Sequence, residues 1–198
     1  MLNKIPEYVW IILVLLLGLV FLGVLVFSTR DAPTKQDQQL IDIAAKLGLD
    51  KDKFANDFRS EEIKNIVQSQ LEQGLSKFEG LNRYTPLVIL NGEVIKLSQI
   101  EEIEKLVKNK IDNSEEKVNL EIYSDFSCPF CKLLFEFMLD FQSREPELFD
   151  SRINYQKLNL PIIGGNTSQK YAYAYEAAKM QGKGDEYARE LYGLMNKK

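Results

Sequence analysis

The sequence predicts an α/β domain carried behind one membrane-spanning helix. Three observations predict it: a long apolar run near the N-terminus, helical-period segments interleaved with short alternating runs, and a Cys-x-x-Cys that directly follows one of those runs. The 198 residues, 45% hydrophobic and 27% charged, suffice for one ordinary domain with an appendage. A net charge of -4 and the lack of any lysine cluster with interleaved aromatics argue against nucleic acid as a partner. There is no histidine, which removes the usual imidazole base and the commonest transition-metal ligand. The two cysteines stand together in one motif, too few for a four-cysteine zinc site or a structural disulfide framework, so no metal is expected.

Taken in order, Val9 to Phe27 form nineteen residues without a charged or polar side chain. As a helix they would span about 28 Å, close to the hydrocarbon thickness of a bilayer. Residues 1–28 are therefore expected to be an N-terminal tail and transmembrane anchor spanning 9–27, with Tyr8 and Trp10 at the interface. A cleaved signal peptide would have a shorter apolar core and a small-x-small site, which Val26, Phe27 and Ser28 do not make. Lys4 lies on one flank and Arg30 and Lys35 on the other, so flanking charge leaves the orientation open. Residues 29–36 read as a polar linker.

From residue 37 the pattern is helical. Leu40, Ile43, Ala44 and Leu47 recur at helical spacing up to Gly48, and Ile63, Ile66, Val67, Leu71, Leu75 and Phe78 extend a second helix behind a cap at Ser60. At Thr85-Pro86 the period changes. Leu87 to Leu90, the turn pair Asn91-Gly92 and Glu93 to Leu97 predict a β-hairpin, followed by a helix over Gln99 to Ile111 and a polar stretch over Asp112 to Lys117. Val118, Leu120 and Ile122 then alternate as a strand. Pro129, with no amide hydrogen and a preset φ, suits the first position of a helix running to Pro146 with Leu134, Phe137, Met138 and Phe141 on its core face. A strand near Ile153 to Leu160 and two helices, Tyr171 to Met180 and Asp185 to Met195, complete the chain; Gly164-Gly165 reads as a turn, and Tyr171, Tyr173, Tyr175, Tyr187 and Tyr192 fit either a peptide groove or, as aromatics at such spacing more often do, the core.

The motif Cys128-Pro129-Phe130-Cys131 carries the chemistry. Thiol–disulfide exchange needs one reachable thiolate and a second thiol close enough to expel the mixed disulfide, and two intervening residues at a helix start supply that geometry. Cys128 would face free amides and the positive end of the helix dipole, so its pKa should fall, while Cys131 one turn on is shielded. With no further Cys or His, a metal site cannot be completed. Asp125 and Ser127 fit either tuning of the cysteine or ordinary loop and capping chemistry.

Tyr-Ser-Asp-Phe-Ser-Cys-Pro-Phe-Cys at 123–131 resembles the DsbA-like family of thiol–disulfide oxidoreductases, as do Leu160-Pro161 and the stretch around Ala172, Ala174, Glu176, Ala177, Ala178, Gln181, Gly182 and Lys183, which is similar to that family's helical insertion. Residues 37–111 resemble its C-terminal half through Ala45-Lys46-Leu47-Gly48-Leu49-Asp50, Phe54, Thr85-Pro86 and Asn91-Gly92. The resemblance implies a thioredoxin-like fold with a helical insertion over 37–198, made of 37–111 and 118–198 in reversed order. It implies that Thr85 and a cis Pro86 lie beside the cysteines and meet bound peptide, that Pro129 and Phe130 complete the active-site loop, and that no cofactor is needed. One circularly permuted domain, a swapped dimer and a truncated tandem all fit this order.

Where members often carry a buried Glu six residues before the first cysteine, this chain has Ile122, with Glu121 one residue off; Phe130 stands where well-known members have His or Tyr. A milder oxidant follows from the loss of an imidazolium beside Cys128. The expected function is a single-pass, extracytoplasmic dithiol oxidoreductase acting on thiols of secreted or unfolded proteins and reoxidised by a membrane redox partner. A reductase or isomerase arm and a non-catalytic peptide- or partner-binding module are the alternatives.

Overall fold

A computed structural model describes residues 33–78, 82–96, 99 and 102–195. The expected anchor at 9–27 lies outside them, and among the described residues no helix is long and apolar enough to cross a membrane. The chain divides into two units, 1–39 and 40–198. In the first, Thr34 and Asp37 exchange side-chain to backbone hydrogen bonds at 2.9 and 3.2 Å, a reciprocal cap on the first helix.

The second unit is mixed α/β. Helices α1 (Lys35–Lys46, whose first turns belong to the other unit), α2 (Lys51–Arg59) and α3 (Glu61–Ser76) precede strands β1 (Leu87–Leu90) and β2 (Glu93–Ile95) and helix α4 (Ile103–Asp112). Then come β3 (Val118–Ser124), α5 (Pro129–Arg144), the short α6 (Pro146–Ser151), β4 (Ile153–Asn159), α7 (Asn166–Lys179) and α8 (Gly184–Leu194). The sheet order is β2-β1-β3-β4. β1 runs antiparallel to both β2 and β3, pairing Leu87 with Tyr123 and Leu90 with Leu120, while β3 and β4 are parallel from Val118–Ile153 to Ser124–Asn159. A strand, a helix and a parallel strand thus form one half of the sheet, and an antiparallel hairpin the other.

The hairpin forms where Asn91 and Gly92 both take positive φ, 49° and 83°, as a tight two-residue turn requires. Its tip is tied to the neighbouring strand, because the Asn119 amide donates to Asn91 Oδ1 at 2.8 Å. On one sheet face Val88, Leu90, Leu120 and Ile122 pack under Val107 of α4 and Leu134, Met138 and Phe141 of α5. On the other, Leu87, Ile89 and Tyr123 pack with Phe78 and Leu160. Gly74 of α3 lets that helix approach: a Cβ there would lie 2.8 Å from Cδ1 of Tyr123. A third core joins α1, α2, α7 and α8 through Phe54, Phe58, Tyr175, Tyr187 and Leu191, and reaches Phe126, Cys128, Cys131 and Phe135. The start of α5 therefore sits where the helical core meets the sheet.

Two helices were not expected from the sequence. Lys51–Arg59 is capped by Asp50, whose side chain accepts from the amides of Asp52 and Lys53, and it buries only Phe54 and Phe58. Pro146–Ser151 starts on a proline and buries Phe149 alone. In addition α7 begins at Asn166, five residues before the expected Tyr171, since Gly165 takes φ 55° and turns the chain directly into the helix.

Candidate active site

Strand β3 ends at Ser124, and a turn closed by the Cys128 amide on the Asp125 carbonyl (3.0 Å) brings the chain to Pro129, the first residue of α5. Cys128 is extended at φ -101°, ψ 119°, and its carbonyl takes the first bond of the helix from the Lys132 amide at 3.2 Å. The first turn carries no acidic residue, so nothing there competes for the positive end of the dipole.

Both cysteines are free thiols. Cys128 keeps 4% of its surface exposed and Cys131 none. Cys128 is thus less open than an attacking thiol was expected to be, because the chain before Pro86 lies over it: its sulfhydryl donates to the Thr85 carbonyl at 3.3 Å. The Thr85 hydroxyl is 3.0 Å from Cys131 Sγ, and the Asp125 amide donates to the same sulfur at 3.4 Å. The Thr85-Pro86 peptide bond is cis. Six residues named from the sequence, Thr85, Pro86, Cys128, Pro129, Phe130 and Cys131, therefore fall in one place, although Thr85 and Cys128 are 43 positions apart. Phe130 points outward, 70% exposed, and Leu133 beside it is also exposed.

The two sulfurs differ in acidity. A hydrogen bond from Cys131 holds the Cys128 pKa down at about 6; burial works against this, the amides of Cys131 and Phe130 add to it, and the charge of Asp125 opposes it. Neither amide closes a hydrogen bond on the protonated sulfur, so their effect belongs to the thiolate. Burial first, then the adjacent Cys128, push Cys131 far up. One sulfur is ready to ionise near neutral pH and its neighbour keeps its proton.

Glu121 and Ile122 point to opposite faces of β3. Ile122 packs into the core under α5, and Glu121 accepts from the Tyr123 hydroxyl at 3.1 Å, so no carboxylate of this strand approaches Cys131 from the sheet. The sequence did not place three further groups beside the sulfurs. Tyr192 of α8 is buried close enough for both sulfurs to raise its pKa, after burial itself, and it bonds to Ser124. Gly164 is more than a turn, since a Cβ on it would meet Ser127 Oγ at 2.5 Å and Ser168 Oγ at 2.6 Å. Ser168, wholly buried, donates to Asp125 Oδ1 at 2.6 Å. These contacts join residues some forty positions apart, and no periodicity or spacing announces them. No known family profile and no curated protein matches the chain.

Proposed function

We propose that this chain is a membrane-anchored, extracytoplasmic thiol–disulfide oxidoreductase of DsbA-like type, built as a circularly permuted thioredoxin-like domain with a helical insertion. The strand order supports the fold: β3, α5 and parallel β4 form one half, the β1–β2 hairpin and α4 the other, and β1 pairs antiparallel with β3 in one sheet of one chain. The helices α7 and α8 stand as the insertion after β4.

The observation that carries the activity is the Cys128 sulfur at a helix start, within hydrogen-bonding reach of Cys131 and of the Thr85 carbonyl, with its pKa held at about 6. In the oxidised enzyme a substrate thiolate attacks Cys128 Sγ; the Cys128–Cys131 bond breaks, a mixed disulfide forms, and Cys131 leaves and takes up a proton. A second substrate thiolate attacks its own partner sulfur in that mixed disulfide and releases the Cys128 thiolate. Two electrons pass from the substrate dithiol to the enzyme, and a membrane redox partner removes them again. Stabilising the Cys128 thiolate favours the reduced enzyme, so the pair accepts electrons, which supports oxidation over reduction as its direction. The outward Phe130 and Leu133 offer apolar contact to an unfolded chain.

The test is oxidative refolding of a reduced protein that forms disulfides, by the full chain in mild detergent with glutathione disulfide as the terminal oxidant. Turnover that vanishes in Cys128→Ser supports the reading, whereas a folded protein without turnover supports a binding module. Equilibration with glutathione buffers sets the direction, since a strongly reducing pair would mark a reductase or isomerase arm.

A further inference from the structure

Asp125 is the most connected residue around the sulfurs. Its amide donates to Cys131 Sγ and its carbonyl accepts from the Cys128 amide. Its carboxylate, on a residue only 1% exposed, accepts from the Ser127 amide (2.7 Å) and the Ser168 hydroxyl (2.6 Å) at Oδ1, and from the Ile163 amide (2.7 Å) at Oδ2. Ser168 also accepts from the Gly164 amide and donates to neither sulfur, but bonds Ser127 at 2.9 Å. Three bonds thus clasp the turn before α5 to Ile163, in the segment between β4 and α7, and to Ser168 in the first turn of α7, and Gly164 is a residue without a side chain where that segment presses on Ser127 and Ser168.

A capping or turn role would be met by the Ser127 bond alone. Burying a carboxylate costs free energy unless it is hydrogen-bonded, and the three donors here are neutral, so they hold the charge in place without cancelling it. We propose, resting on the exchange chemistry above, that Asp125 is a positioning residue that sets the redox bias of the Cys128–Cys131 pair, by locking the loop around both sulfurs and keeping a buried negative charge behind Cys128.

The groups facing Cys128 fix the sign. Cys131 and the helix-start amides favour its thiolate; Asp125 disfavours it, and the Tyr192 hydroxyl stays protonated and neutral. Removing the Asp125 charge therefore favours the thiolate and with it the reduced pair, so the disulfide becomes more oxidising. Removing a donor from the carboxylate while keeping its charge acts the other way, because the remaining charge is less compensated. A merely structural clasp predicts no such opposition of sign.

The experiment compares the full chain in mild detergent with Asp125→Asn and Ser168→Ala. Thiolate absorbance against pH and the equilibrium of the pair with reduced and oxidised glutathione are read for each. Asp125→Asn is expected to move the Cys128 titration to lower pH and to raise the constant for reduction by glutathione about threefold or more. Ser168→Ala is expected to shift both readouts in the opposite direction. Unchanged values in a folded Asp125→Asn, or displacements of the same sign in both variants, overturn the proposal. Should Asp125→Asn not fold, Ser168→Ala decides alone: an unchanged or lowered titration midpoint overturns it. Both readouts involve only protons and glutathione, so a wild type that ignores protein substrates refutes the oxidoreductase reading without touching this one.

Discussion

The two ends of α5 carry polar groups under opposite conditions. At its end, Arg144 pairs with Asp140 and Glu104 at 2.8 and 2.7 Å, while Lys108 reaches Glu104 and Glu145 at 2.9 and 2.7 Å, all of them partly exposed. At its start, two thiols and one carboxylate are buried among amides, hydroxyls and a carbonyl. The exposed lattice sets three carboxylates against two cations so that each charge has an opposite neighbour, and water screens them further; hydrogen bonds from Arg144 and then Lys108 draw the Glu104 pKa down to about 2. The buried start has fewer charges and no opposite partner for them, so each neighbour moves a sulfur's acidity. A buried group's acidity follows from where compensation is incomplete rather than from how many ionisable groups gather.

Four experiments sharpen or break this contrast. The largest effect is expected from Cys128→Ser, which removes the sulfur that substrate attacks and should abolish oxidative refolding, whereas Cys131→Ser, given a disulfide-bonded substrate whose bond the Cys128 thiolate breaks, should let covalent adducts accumulate, as seen on non-reducing gels. Next comes the pH profile of iodoacetamide alkylation: the rate at Cys128 should fall about tenfold per pH unit below a midpoint near 6, with Cys131 silent throughout. For the reduced fold, the lowered Cys128 pKa contributes stability that builds as pH rises from about 6 toward the unfolded thiol's value and is lost as pH falls through about 6, whereas the raised Cys131 pKa takes stability away above the unfolded thiol's value.

Smaller is the expected cost of Gly164→Ala, about 1–3 kcal/mol by urea unfolding, since the new methyl group collides with both serine hydroxyls of the clasp. Smallest is Arg144→Ala, which should leave refolding activity intact and shift the melting temperature little, while the Glu104 titration, followed by NMR, returns toward ordinary carboxylate values. Glu104 contributes its stability above the unfolded carboxylate's range and loses it as pH falls toward 2, so this variant should show a flatter acid limb.

Local signals carried much of this structure. Asn91-Gly92 predicted a hairpin because its turn needs two residues tolerant of positive φ, and the alternation over Val118 to Ile122 predicted the central strand that pairs with it. Pro129 marked the start of α5 for the same kind of reason. Lys51–Arg59 escaped because nine residues with two buried phenylalanines give periodicity too little to count, and Asp50 is the only local cue. At the site, the sulfur pair was legible from its own motif, but the approach of Thr85 came only through resemblance, since alternation shows that strands exist without showing which ones pair. Ser168, Gly164 and Tyr192 could not be found that way, because only the folded chain brings them to residues about forty or more positions earlier.

The order of the elements along the chain also has a temporal side. Residues of the β1–β2 hairpin are synthesised before β3 and the cysteines, and a hairpin closed by a two-residue turn needs no distant partner to form. The segment that covers the two sulfurs is then already made when the thiols emerge. A chain synthesised the other way round would leave its nascent thiols uncovered until the covering loop arrived.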